Sequence, residues 1–200
     1  MPNDRRIRRT RKLLHSALAT LILARGYRNI TIQDVAEHAD IGYRTFFRHY
    51  ASLDDLLLDM VQTVMDELDQ RLNIYTPPSG DMRTEMSAKG QALFAYVREH
   101  ETIFRVLLLD DGARFAIQPL LQRARQRVET ALSDLPSNLL PHPVVANHLI
   151  ISTLALMRWW LEYDFPYENE RMGQIFVDLI VQPLQWMYAN RETAPNEKPA

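Results

Sequence analysis

The sequence predicts an all-α protein, with a small N-terminal domain of three helices and a larger C-terminal helical domain. Three observations predict it. Apolar residues recur at three-and-four spacing almost throughout, and no strand-type alternation persists. Helix-breaking residues (Gly26, Pro77-Pro78-Ser79-Gly80, Pro119, Pro143) fall between or at the starts of the periodic runs. The charge is divided: residues 1–50 hold ten Lys/Arg and four Asp/Glu, a net of +6, and residues 51–200 hold thirteen and twenty-one, a net of −8. A basic head on an acidic body points to a polyanion as the partner of the head.

The first helix is expected over 10–24, with Leu13, Leu14, Ala17, Leu18, Leu21 and Ile22 as its apolar stripe. Gly26 stops it in the manner of a C′ glycine. Thr31 is placed to N-cap a second helix over 32–39, with Asp34 three residues on in a capping-box position. A third short helix is expected over 43–49. Ser52, Asp54 and Asp55 open a long helix over 52–73, the acids suiting the positive end of its dipole. Further helices are expected over 83–99, 101–109, 118–134, 143–162 and 169–188. Leu135 to Pro143 reads as a loop, Pro183 as a kink or stop late in the last helix, and 190–200 as a flexible tail. The domain boundaries expected are 1–58 for the head, 59–189 for the body and 190–200 for the tail.

Composition narrows the function. No cysteine is present, so disulfides and thiolate metal sites are excluded, and a reducing, cytoplasmic setting is expected. The charged start MPNDRRIRR is followed by no apolar h-region, so no secretory signal is expected. The most apolar stretch, 144–161, is interrupted by Asn147, His148 and Arg158 and falls short of a span of about 20 residues; it reads as a buried helix, and no membrane partner is expected. No histidine has a Glu three residues before it, and no His-x-x-x-His, glycine-rich phosphate loop or G-x-S-x-G elbow occurs. Neither an enzyme, a metal site nor a cofactor is expected.

Residues 31–50, TIQDVAEHADIGYRTFFRHY, carry the positive evidence. Two short helices meet at a tight turn, Ala36 supplies the small residue where they cross, and Val35, Ala39, Ile41 and Phe46 are spaced to fix the crossing. Asp40 takes the left-handed position of the turn. The second helix then presents Tyr43, Arg44, Thr45, Phe47, Arg48 and His49, following Gly42. This is a helix-turn-helix, whose second helix enters the major groove of duplex DNA. Arg44 is a candidate for the guanine O6/N7 edge, and Tyr43 or Thr45 for a thymine methyl or a phosphate. Thr31 and Gln33, at the start of the bracing helix, are candidates for backbone contacts. Arg5, Arg6, Arg8, Arg9, Arg11 and Lys12 form a basic arm suited to phosphates or the minor groove.

The run TRKLLHSALATLILARGYRNITIQDVAEHADIGYRTFFRHYASLDDLL resembles the N-terminal domain of the TetR family of transcriptional regulators. The resemblance lies in Arg25-Gly26-Tyr27, the start Thr31-Ile32-Gln33-Asp34-Val35-Ala36, the recognition segment Thr45-Phe46-Phe47-Arg48-His49-Tyr50 and the continuation Ser52-Leu53-Asp54-Asp55-Leu56. It covers about a quarter of the chain. It implies a homodimeric repressor on a palindromic double-stranded operator, released by a small effector held in the body. Five positions depart from the family pattern: Phe47 replaces a phosphate-contacting Tyr, Leu53 a phosphate-binding Lys, Arg44 a frequent Gly, Gly42 the usual Ser N-cap, and Asp40 the turn Gly.

The body offers two candidate surfaces. The helix over 143–162 is apolar on nearly every side, and the last helix repeats Met172, Ile175, Phe176, Leu179, Ile180 and Leu184. Two such helices from each of two chains make a four-helix interface, with Ile150, Ile151, Leu154, Met172, Ile175, Phe176 and Leu179 as candidates. An apolar or aromatic effector would suit Met86, Phe94, Tyr96, Phe104, Leu108, Phe115, Met157, Trp160 and Tyr163, with Arg105 available to an anionic group. The alternative is a helical partner-binding module whose helix-turn-helix no longer meets DNA.

Overall fold

The computed structural model describes residues 2–72, 80–136 and 140–191, and among them every regular element is helical. They form α1 (Pro2–Arg25), α2 (Ile32–His38), α3 (Tyr43–Phe46), α4 (Leu53–Leu72), α5 (Met82–Glu99), α6 (Glu101–Leu109), α7 (Gln118–Ala131), α8 (His142–Glu162), α9 (Asn169–Phe176) and α10 (Gln182–Arg191). The tail expected from 190 onward lies almost wholly outside the described residues. The chain divides into two compact units, Met1–Arg71 with Glu99–Leu121, and Leu72–Arg98 with Gln122–Ala200. The first unit therefore takes in more than the head expected at 1–58, because α6 packs on α1.

The first unit is built on α1. No helix breaker lies between Asn3 and Arg25, and arginine is a good helix former, so the helix extends back to Pro2, eight residues before the start expected at Thr10. The basic arm is thus helical rather than extended. Leu14, Ala17, Leu18, Leu21 and Ile22 are buried along one stripe, and Leu13, off that stripe, is exposed. Gly26 ends the helix with φ 75°, and its N–H reaches the Ile22 carbonyl at 2.7 Å. The buried face of α6 supplies Ile103, Phe104, Val106 and Leu107. α4 adds Leu56, Leu57, Met60 and Val61.

In the second unit Trp160 of α8 is wholly buried, with Phe94 of α5 edge-on at 5.2 Å. Arg98 lies over the Trp160 and Phe165 rings and pairs with Glu168 at 2.9 Å. α8 buries Val145, Ala146, Ile150, Met157, Trp160 and Leu161 but exposes Val144, Ile151 and Trp159. By length and apolarity alone it would cross a bilayer, a test that core helices of soluble proteins also pass. The last helix does not stop at Pro183. A π turn, Val177–Val181, comes just before it and α10 continues to Arg191. Pro183 has no N–H for the Leu179 carbonyl and its ring crowds that carbonyl; the wider turn relieves both.

α5 and α9 cross closely through glycines. A Cβ on Gly173 would stand 2.6 Å from the Ser87 carbonyl oxygen and 2.6 Å from the Gln91 nitrogen. Gly173→Ala gains about 1 kcal/mol of helix propensity, yet forces two backbones apart. The expected result is a lower urea midpoint, with a net loss of roughly 1–3 kcal/mol. A midpoint at or above that of the wild type would show that the crossing does not need glycine.

Candidate nucleic-acid interface

The head is assembled from local signals that each have a partner. Thr31 accepts from the Asp34 N–H at 3.2 Å while the Asp34 carboxylate accepts from the Thr31 N–H at 2.8 Å, a reciprocal capping box at the start of α2. The Thr31 hydroxyl also donates to this carboxylate at 2.6 Å, and that bond, with the one from the Thr31 N–H, holds the Asp34 carboxyl below the usual range. The Gln33 amide donates to Glu37 at 2.8 Å, so in the free protein this candidate phosphate ligand is engaged one turn along its own helix. Asp40, at φ 53°, makes the turn, and the Ile41 N–H closes it on the Ala36 carbonyl at 2.9 Å.

α3 is a single helical turn, shorter than the helix expected over 43–49, and residues 47–49 continue it as turns. Gly42 caps it without a side-chain hydrogen bond. Phe46 is fully buried with Val35 and Ala36, and that burial decides what faces outward. Tyr43, Arg44, Phe47 and Arg48 are exposed, Thr45 and His49 half-buried. Tyr43 and Phe47 meet edge-on at 5.1 Å, an exposed aromatic pair beside Arg44. Burial, with the charges of Arg48 and Arg11, lowers the His49 pKa. The surface of α3 is therefore basic through its arginines, with His49 neutral near pH 7.

Arg5, Arg8, Arg9 and Lys12 are exposed at helical spacing on one face of α1. Arg11 does not belong with them. It lies on another face, where its guanidinium pairs with Asp59 of α4. Its 100° step from Lys12 was readable from the sequence as a change of face. His15, one turn on from Arg11, also reaches Asp59, at 2.9 Å, and the Tyr50 hydroxyl at 3.2 Å. Burial tends to raise the Asp59 pKa, but hydrogen bonds from Arg11, Tyr50 and His15 outweigh it and hold the carboxylate ionised.

The turn Gly26–Tyr27 receives the segment after α6. The Tyr27 N–H donates to Asp110 at 3.2 Å, the Tyr27 ring packs against Phe115 at 5.6 Å, and the Tyr27 hydroxyl donates to Asp54 at the start of α4. A Cβ on Gly112 would stand 3.2 Å from that of Tyr27. Sequence reading missed this junction, since Tyr27 lies more than eighty residues from Asp110 and Phe115.

Residues 14–60 match the family model described as bacterial regulatory proteins, tetR family. The regulator TcmR of Streptomyces glaucescens, an HTH-type transcriptional regulator, is 26% identical over 185 residues, 82% of this chain and 79% of that protein. Residues 14–60 thus carry a TetR-type DNA-binding domain, and the chain as a whole is similar to TetR family regulators. Solved TetR-fold structures share the fold. FadR of Bacillus subtilis, solved in complex with stearoyl-CoA, superposes with a TM-score of 0.69 at 13% identity, over 85% of this chain and 97% of its own. NalD of Pseudomonas aeruginosa, the secondary repressor of the MexAB-OprM multidrug efflux pump, gives 0.69 at 15% identity, over 86% and 96%. The chain is thus a TetR-like transcriptional regulator with a DNA-binding helix-turn-helix.

The candidate effector residues divide between the units. In the first, Phe104 and Leu108 are buried, Phe115 is exposed on Tyr27, and Arg105 pairs with Glu101 at 2.6 Å, an i,i+4 bond that the sequence contains and the reading passed over. In the second, Phe94, Tyr96, Met157 and Trp160 are buried and Met86 is half-buried. Tyr163 is 64% exposed and packs on Trp159. Of the candidate dimer residues, Ile150 and Met172 are enclosed within the chain, Leu154, Ile175 and Phe176 are half-buried, and Ile151 and Leu179 are exposed. Trp186, which the sequence reading did not select, is 65% exposed. No cluster of metal-ligating side chains occurs among the described residues.

The His15 pKa is lowered from 6.5 by burial, with the Arg11 charge assisting and Asp59 opposing. The folded head therefore protonates at a lower pH than the unfolded chain. His15 imposes no penalty above about pH 6.5 and destabilises progressively as pH falls below it. Asp59, whose pKa is depressed, withdraws its contribution only below the ordinary carboxylate range of about 3.9. Thermal melting at pH 7.5 and 5.5 should show a drop in Tm that shrinks in His15→Gln. An equal drop in both proteins would place the titration elsewhere.

Proposed function

We propose that this regulator is a cytoplasmic repressor that occupies a palindromic operator as a homodimer and leaves it when a small apolar or aromatic effector binds the body. The observation that carries the reading is the outward set on α3. Phe46 is buried to the ring, so Tyr43, Arg44 and Arg48 stand together on a surface presented by a fixed scaffold. Arg44 reads a guanine edge; Arg5 and Arg8 on the helical arm, together with Thr31 and Gln33 at the start of α2, hold phosphates. Phe47 and Leu53 lack the polar groups usual at their positions, which shifts phosphate binding toward the arm. NalD is a repressor and FadR was solved with stearoyl-CoA, which supports repression and an apolar effector here.

Selection of duplexes from fragmented genomic DNA with the purified protein tests the reading. A shared two-fold sequence is expected, and no enrichment would return the chain to a partner-binding module. On the selected duplex, Arg44→Ala should cost about 1–3 kcal/mol and relax preference at one base pair of each half-site. Arg8→Ala should weaken all duplexes alike and flatten the dependence of affinity on salt. An Arg44→Ala protein with unchanged preference would remove Arg44 from the reading set.

A homodimer supplies the two heads that a palindrome requires. Val144 and Ile151 of α8 are exposed, as are Leu179 and Trp186 of the last helices, large apolar side chains that a second copy would cover. Sedimentation at micromolar concentration should give twice the chain mass, and Leu179→Asp should shift the protein toward monomer. A monomeric wild type would contradict the proposal.

The effector acts only through its differential affinity for two arrangements of the heads. α4, which begins in the head, is one proposed carrier. The junction of Asp110 and Phe115 with Tyr27 adds a second, because it fastens the segment after α6 to the turn between α1 and α2.

A further inference from the structure

α3 is one turn long, and a turn of that length does not hold its own orientation in water. Its angle must be set by what it packs on. The burial of Phe46 fixes depth, but apolar contact is non-directional and resists rotation poorly. A directional restraint lies four residues on. The Tyr50 N–H bonds the Phe46 carbonyl at 3.0 Å, so Tyr50 is rigidly joined to the end of α3. Its ring is buried, and its hydroxyl meets a polar cluster drawn from two other helices.

Asp59 of α4 is the hub of that cluster. The Tyr50 hydroxyl donates to its Oδ2. Arg11 donates through Nε to Oδ2 at 3.1 Å and through Nη2 to Oδ1. Arg11 Nε is also 3.3 Å from the Tyr50 oxygen, and His15 Nε2 lies 2.9 Å from Asp59 Oδ2 and 3.2 Å from that oxygen. The donors and acceptors balance in one way. Asp59 is ionised and only accepts, and Tyr50 gives it the hydroxyl proton. Neutral His15 then carries its proton on Nε2. Arg11 is held here, off the basic face of α1 formed by Arg5, Arg8, Arg9 and Lys12.

We propose that Tyr50 is a positioning residue for base reading: its hydroxyl, latched to Asp59, Arg11 and His15, fixes the rotation of α3 and so the placement of Tyr43, Arg44 and Arg48 on the base edges. The latch touches no DNA itself. It acts on sequence discrimination rather than on phosphate attraction, because losing the Tyr50 hydroxyl leaves Arg11 of α1 paired with Asp59 and the capping box of α2 in place. The proposal rests on α3 being the reading element.

Tyr50→Phe removes the hydroxyl and keeps the ring. Two probes are compared at fixed salt and pH, well below the unfolding temperature: the duplex that the wild type selects from a random-sequence pool, and an unselected duplex of equal length. Affinity for the selected duplex should fall roughly 3- to 10-fold, the range expected for one hydrogen bond, and affinity for the unselected duplex should change less than about twofold, its phosphate contacts being intact. Asp59→Asn should act in the same direction and, combined with Tyr50→Phe, cost less than the two single losses together. Equal losses on both duplexes would mark Tyr50 as merely structural and overturn the proposal, as would no loss on either. A wild type that selects no sequence would overturn the reading role of α3 as well, which separates the two failures.

Discussion

The burial of Phe46 at the crossing of α2 and α3 is the constraint on which the rest depends. α3 is too short to form alone, so it exists because one aromatic ring is enclosed where α3 packs on α2. Removing such a ring costs roughly 3–5 kcal/mol, a large share of the stability of a small domain. Once that ring is inside, helical geometry leaves little choice. Tyr43, Phe47, Arg44 and Arg48 must face away, and Tyr50 must come back to the core four residues later. The exposed surface of α3 is what remains when the core is satisfied.

Around this core the head joins apolar and polar fastenings that do different work. Leu14, Leu18, Leu56 and Leu57 supply bulk burial. The capping box at Thr31 and Asp34 sets where α2 begins, and Asp40 accepts a left-handed backbone so that the turn is tight. The Asp59 cluster adds direction where burial alone gives none. The junction at Tyr27 attaches a segment distant in sequence, which makes α6 part of the same compact unit as the head. Within that unit the Asp110 and Phe115 contacts tie the segment after α6 to the turn between α1 and α2.

Much of the fold was readable because it rests on local rules. Gly26 as a C′ residue and Thr31 with Asp34 as a cap each follow from a short stretch of chain, while the break expected at Pro77-Pro78-Ser79 lies outside the described residues. What was misread depended on tertiary partners. Arg11 looked like one more arm residue until Asp59, forty-eight positions away, claimed it. Leu13 matched the apolar stripe by composition, but the packing on α1 leaves it outside. At Pro183, expected to kink or end the last helix, the outcome is local: a π turn just upstream accommodates the ring and the chain stays helical to Arg191. In the body, composition marks Ile150, Ile151, Met172 and Leu179 as equivalent. Only their burial separates residues that fill the chain from those open to a second copy. The glycine crossing of α5 and α9 left one signal, glycine inside helical pattern at 90 and 173.

The central claim is that this head meets duplex DNA through a basic face and a reading turn held at a set angle. The salt dependence of affinity tests it most directly, measured for the purified protein on the selected duplex and on an unselected one between about 50 and 200 mM salt. Log affinity should fall linearly with log salt on both duplexes, with the selected one tighter throughout. Duplex affinity that is absent, or that does not change with salt, would contradict it.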